Sequence, residues 1–349
     1  MLLFNKYSPK HHSQSFFHKD ILERLKLRVT DDGISHIIVH GRAGSGKKTL
    51  IRMFLEMCFD DSIYKLKKRA CPITSGSTKT KNIEIIDQSR YHIIIEPKGT
   101  NNDKYIISDI VKQNAISGHI KIFTNSRQYK VIQINNLQNL SELAQAAFRR
   151  ILEDYSSTCK FIMYCDTLSR VIPPLRSRCE CIRLPSPTKY ELYHYIAYII
   201  RCEEQPIPHP RIIMNMAKAS NGNIKEALLI IQNYLYDNKC IFGHTKGLET
   251  SYQKTINEIV SLLLTKNNVG VLTTLREKFY SMFMTNINVN KQMRDLLDAI
   301  IKSGKFNKYI YEISKCFVHC DRSLRSPRRI VPHICDALCS DILRIINPK

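Results

Sequence analysis

The run "HIIVHGRAGSGKKTLI", His36 to Ile51, constrains the fold more than any other stretch of this chain. Gly41, Gly44, Gly46 and Lys47 stand in the order G-x-x-x-x-G-K, directly after an apolar strand pattern and directly before a helical one. Glycines let backbone N–H groups wrap an anion, the helix N-terminus adds partial positive charge, and the lysine reaches the outer phosphates. Ser45 lies inside the loop and belongs to the same candidate nucleotide site. The next position departs from the pattern. A hydroxyl there would bind Mg²⁺, but Lys48 occupies it, and Thr49 is displaced by one residue, a turn of about 100° around a helix.

Between His36 and Cys181 the chain alternates short β-rich runs ("HIIVH", "HIIIEP", "KVIQIN", "KFIMYCD") with helical ones ("KKTLIRMFLEMCF", "KYIISDIVKQNAI", "ELAQAAFRRILEDY"). That alternation predicts an α/β domain, a parallel sheet with helices on both faces and ligands at the carboxyl ends of its strands. The strand "KVIQIN" ends in Asn135 and Asn136, where an acidic pair would serve metal and water. An amide has the shape of a carboxylate without its charge or basicity. No other strand offers an acidic pair at its end. The polar stretch Thr74 to Asn82 reads as a loop.

After Pro185 and Pro187 the strand signals stop. The predicted organisation is 1–185 as the nucleotide-binding domain, 186–243 as a short helical unit, and 244–349 as an all-helical domain carrying patterns such as "ICDALCSDILRII". Lys and Arg number 53 against 31 Asp and Glu, a net charge of +22 that favours a polyanionic partner. The 12 cysteines read as reduced thiols. Cys179 with Cys181, and Cys316 with Cys320, lack the second pair of a zinc ribbon and are expected to be core thiols. No apolar run approaches the ~20 residues that span a bilayer, so a soluble intracellular protein without membrane contact is expected.

The chain resembles the small subunits of replication factor C, clamp loaders of the AAA+ class, and within them the subunit 3 type. The residues that carry the resemblance are "NKYSPK", "HIIVHGRAGSGKKT", "TKNIEI", "SRYHIIIEP", "AQAAFRRILEDYSSTCKFIMYC", "RVIPPLRSRC" and "GNIKEALLIIQ", the SRC end of Val171–Cys179 being the most specific. They cover about residues 1 to 240; beyond that the likeness is architectural. The resemblance implies an AAA+ P-loop domain, a helical lid and a helical C-terminal collar that assembles a hetero-pentamer.

It also implies parts for individual residues. Tyr7 and Pro9 would lie beside an adenine, Lys47 on the phosphates of ATP or ADP, and Lys225 at the lid's sensor position. Arg178 would be an arginine finger acting in trans on a neighbour's nucleotide. In the family's active subunits Lys48 would be Thr, Asn135 and Asn136 would be Asp and Glu, and Asp166 would be Asn. Lys104 and Lys112, on a helix starting near Asp103, would track DNA phosphates.

The chain is therefore expected to bind nucleotide without hydrolysing it on its own, with a doubtful place for Mg²⁺. It would help other clamp-loader subunits to place a sliding clamp on a primed double-stranded/single-stranded DNA junction. It would work in the nucleus or at a cytoplasmic viral replication site. The competing readings are a self-sufficient repair or helicase-type ATPase and a nucleic-acid adaptor without nucleotide. An ion pair between Lys48 and Asp166, replacing part of the metal's charge, is expected beside the loop.

Overall fold

The computed structural model describes residues 2–30, 35–59, 61–74, 81–97, 99, 103–116, 129–236, 251–263, 269–284, 287, 289–324 and 330–346. The chain divides into two compact units, Met1–Ile241 and Phe242–Lys349.

The first unit begins with α1 (Leu3–Lys6) and α2 (Lys19–Thr30), then alternates β1 (Ile37–His40), α3 (Lys47–Cys58), β2 (Lys67–Thr74), β3 (Lys81–Gln88), β4 (His92–Ile95), α4 (Asp103–Ile116), β5 (Lys130–Ile134), α5 (Glu142–Asp154), β6 (Cys159–Cys165), α6 (Pro173–Arg176) and β7 (Glu180–Arg183). The seven strands run in the order β2-β3-β4-β5-β6-β1-β7. β4, β5, β6, β1 and β7 are parallel, as expected. The sheet is nonetheless mixed, because β2 and β3 form an antiparallel ladder on its β4 edge. β2 carries Pro72 and the exposed Lys67, Lys68 and Arg69, so it has no alternating apolar face to betray it. An edge strand tolerates both features. Thr74, Lys81 and Asn82 belong to this ladder, while residues 75–80 of the expected loop lie outside the described residues.

Strand residues alternate between two cores. Ile93, Ile95, Ile132, Ile134, Phe161 and Met163 pack with Ile107 and Ile110 of α4 and with Phe148 and Leu152 of α5. On the opposite face Ile37, Val39, Val131, Ile162 and Tyr164 pack with Leu22 and Leu25 of α2 and with Leu50 and Phe54 of α3.

Beyond the two prolines, Thr188 opens α7 (Lys189–Cys202) with a reciprocal capping box to Glu191. α8 (Pro210–Ala219) and α9 (Ile224–Tyr236) follow within the same unit. The second unit contains α10 (Ser251–Leu263), α11 (Val269–Phe283), α12 (Val289–Ser303), α13 (Ile310–Leu324) and α14 (Val331–Ile346). They enclose their own core around Ile259, Leu275, Leu296, Phe317 and Ile342.

The described cysteines are free thiols; Cys179 and Cys320 are buried, whereas Cys316 is half-buried and Cys181 exposed on β7. The expected core-thiol pairs are thus core at one member each, because Cys181 is turned to solvent by the alternation of its strand. No helix among the described residues is long and apolar enough to cross a membrane.

Candidate nucleotide-binding site

The glycine loop springs from the carboxyl end of β1 and is tied to its neighbour β6 where Gly41 N donates to Cys165 O at 3.3 Å. Gly44 and Gly46 adopt φ of 77° and 95°, the left-handed region that glycine enters without strain. A Cβ on Gly44 would stand 1.9 Å from Asn223 Oδ1, and one on Gly41 would stand 2.2 Å from Leu184 O. The loop is gripped from outside as well. Ile224 N, at the start of α9, donates to Gly44 O at 3.0 Å, and His18 Nε2 donates to Ser45 O at 3.1 Å. Burial holds the His18 pKa below its usual value.

Lys47 is buried, and its ammonium donates to Gly41 O and Arg42 O at 2.8 Å each. It also pairs with Asp166 Oδ1 at 2.7 Å. This corrects the expected pairing of Asp166 with Lys48. The end of β6 lies beside the end of β1, with Cys165 across from His40, which brings Asp166 to the root of the loop. Lys48, a further ~100° around α3, is exposed and lines a cavity with Glu96 and Asn135 instead.

The loop fits a phosphate. The first-turn N–H groups of α3 have no intrahelical partner, Lys47 supplies a buried cation, and the fully buried Ser45 hydroxyl has no hydrogen-bond partner among the described residues. Gly41, Gly44, Ser45, Gly46, Lys47 and Asp166 are therefore brought together, and Thr49 follows half-buried on α3.

The fit to a divalent cation is poor. Asn135 is buried, and its Oδ1 accepts from Gln133 Nε2 at 2.8 Å. Asn136 sits at φ 51° and donates through Nδ2 to Glu96 Oε1 at 3.3 Å. Glu96, at the carboxyl end of β4, is a carboxylate that a search for acidic pairs passes over because it stands alone. Of the carboxylates lining that cavity, Asp87, Glu96 and Asp103, the last is bonded to Gly99 N and Glu96 to Asn136, and Lys48 and Arg52 share the space, an arrangement unfavourable to a dication.

The other expected site residues make contacts elsewhere. Tyr7 donates to Glu203 Oε1 at 2.5 Å, and burial, reinforced by that carboxylate, pushes its pKa up. Pro9 is half-buried. Lys225 lies over the ring of Phe4 at 5.1 Å, one residue past the Ile224 contact to the loop. Arg178 is exposed; its Nε donates to Glu153 Oε1 and its Nη1 to Pro174 O at 2.9 Å. The helix that carries Lys104 and Lys112 does start at Asp103. Lys112 is exposed, and the Lys104 side chain lies outside the described residues.

A family profile described as DNA polymerase III, delta subunit, matches residues 17–188. The chain is 37% identical over 312 residues to a protein of Acanthamoeba polyphaga mimivirus named as a replication factor C small subunit, covering 86% of this chain and 80% of that one. It is 28% identical to replication factor C subunit 3 of Arabidopsis thaliana, over 86% of each. With replication factor C subunit 3 of Homo sapiens it shares 27% identity over 91% of this chain and 89% of that one. Among solved structures, the Thermotoga maritima RuvB Holliday junction branch migration motor is similar at 14% identity, covering 78% of this chain and 85% of that one with a TM-score of 0.47.

Proposed function

The chain belongs to the replication factor C small subunits, and from that premise we propose that it is a clamp-loader subunit that binds ATP or ADP without hydrolysing it alone. The observation that carries this reading is a division within one site. The phosphate cradle is complete, with Lys47 bound to the loop's own carbonyls, while Asn135 and Asn136 stand where a metal and an attacking water need carboxylates. In this reading the loop N–H groups and Lys47 hold the phosphates, and Tyr7, Pro9 and Lys225 close over the rest of the nucleotide from the N-terminal segment and a lid formed by residues 186–243.

Arg178 acts in trans. A guanidinium delivered to a neighbour's nucleotide stabilises charge on the transferring phosphate, which restricts hydrolysis to the assembled ring. Its exposure and its one carboxylate partner among the described residues, Glu153, suit a side chain that can change partner on assembly. Residues 244–349 form the collar that joins the other subunits of a hetero-pentamer. Lys104 and Lys112 contact DNA phosphates at a primed junction, a contact that positions without reading sequence and weakens with salt. The sliding clamp is the assembly's cargo. Its place of work is the nucleus or a cytoplasmic site of viral replication, the second being favoured by the similarity to a mimivirus protein.

Two measurements test the reading. The purified chain should bind nucleotide nearly as well in EDTA as in Mg²⁺ and show no turnover; strong loss of binding on chelation, or turnover that disappears in Glu96→Gln, refutes it. Arg178→Ala should leave nucleotide binding by this chain intact and slow ATP hydrolysis at one site of the assembled complex by up to ~10³-fold. A mutant complex that hydrolyses ATP and loads clamps at the parent rate refutes the role in trans.

A further inference from the structure

Lys48, Arg52 and Leu55 share one face of α3, spaced by four and three residues. That face looks onto the sheet where the sheet stops being apolar. Under α3 the strands β1 and β6 present Ile37, Val39, Ile162 and Tyr164. On β4, β5 and the residue just past β5 the same face carries His92, Gln133 and Asn135, each at most 4% exposed. Between this polar floor and α3 lies a cavity of about 680 Å³, walled further out by Ile63, Leu66 and Ile94. The polar atoms of this floor are bonded or open to the cavity rather than sealed without partners, so under a basic helix face they offer a polar surface to a ligand.

Donor capacity in the cavity exceeds what the protein uses. Lys48 and Arg52 have no carboxylate within ion-pair distance among the described residues. Ser89 Oγ accepts from Tyr91 N at 3.2 Å and from His92 N at 3.0 Å, and it meets His92 Nδ1 at 2.6 Å. The 3.3 Å alternative for its proton, His92 O, is much longer. The hydroxyl therefore donates to Nδ1, leaving the ring proton on Nε2 as a donor. Asn135 spends its Oδ1 on Gln133 and keeps its NH₂.

Three carboxylates also line the cavity. Asp103 accepts from Gly99 N at 2.8 Å and Glu96 accepts from Asn136, whereas Asp87, across from Lys68 in the β2–β3 register, makes no ion pair among the described residues.

We propose that this cavity is a second anion site, beside the glycine loop and sharing Lys48 and Asn135 with its metal side, built for an oxyanion of the phosphate class with Arg52 and Lys48 as its charges and His92 Nε2 and Asn135 Nδ2 as its neutral donors. The apolar outer wall leaves room for the body of a phosphomonoester. Burial, with Arg52 beside the ring, holds His92 down to about 4, so the imidazole serves as a neutral donor at physiological pH, and an anion bound against it raises that value.

The test is an NMR titration of the full chain, labelled at its histidines, with inorganic phosphate while the loop is saturated with nucleotide. His92 is expected to shift and to titrate at a higher pH with phosphate bound. Arg52→Gln should weaken this binding at least tenfold with nucleotide affinity at the loop unchanged, and Arg52→Lys, which keeps the charge and guards against a folding defect, should retain most of it. Phosphate that leaves His92 unmoved, or binds Arg52→Gln as tightly as the parent, or is lost with Lys47→Ala and not with Arg52→Gln, overturns the proposal.

Discussion

Asp166→Asn is the substitution in which the geometry of the loop speaks most directly to function. Asp166 takes a charge-assisted hydrogen bond from Lys47 at 2.7 Å, the same ammonium that the proposed function assigns to a nucleotide's outer phosphate. Two terms favour the variant. A charge-assisted bond is roughly twice as strong as a neutral one of about 1 kcal/mol. Because the Asp166 side chain is 39% exposed, water screens the pair, and about 1 kcal/mol of competition for Lys47 is released. For a phosphate bound on the other side of Lys47, taking a charge separation of about 6 Å, repulsion from the carboxylate amounts to about 3 kcal/mol at an effective dielectric of ~20, and salt and water reduce that to about 1 kcal/mol. Together they amount to about 2 kcal/mol, or roughly 10- to 30-fold tighter binding. Fluorescent-nucleotide titration of parent and variant, each in EDTA and at two ionic strengths, measures the gain, which should shrink as salt rises. If the variant binds nucleotide no better than the parent, Asp166 is not a competitor for Lys47.

Gly44→Ala should lower the stability of the first unit by about 2–4 kcal/mol, combining ~1–2 for a left-handed backbone, ~1 for the lost Ile224–Gly44 hydrogen bond, and the displacement of Asn223; a denaturation midpoint equal to the parent's refutes this. Stability should also fall with acid through His92. Its folded pKa of about 4 lies below the ordinary value of 6.5, so the unfolded chain binds the proton first, and the loss develops as pH falls from 6.5 towards 4, reaching about 3 kcal/mol at most. His92→Gln should remove that segment of the stability curve in phosphate-free buffer, and a parent curve flat across the window counts against the assignment.

What the sequence determined by itself is local. The loop from Gly41 to Lys47, the helix that follows it, the four strands announced by apolar runs, the start of the helix at Asp103 and the change of pattern at Pro185 are each written within a dozen consecutive residues, because backbone conformation and side-chain periodicity are properties of near neighbours. The substitutions Lys48, Asn135 and Asn136 are legible for the same reason, since each is read against its own strand or helix.

Tertiary structure decided which of these pieces meet. Lys47 and Asp166 are 119 positions apart in number, and only the adjacency of β1 and β6 gives Asp166 to Lys47 rather than to Lys48. Glu96 reaches Asn136 because β4 and β5 are neighbours in register, and Gly44 requires its missing side chain because Asn223, far along the chain, comes to rest against it. The β2–β3 ladder escaped notice because an edge strand needs no apolar period. The basic face of α3 over a polar floor is likewise invisible in one dimension, since a cavity is a relation among surfaces and no single stretch of chain encodes it.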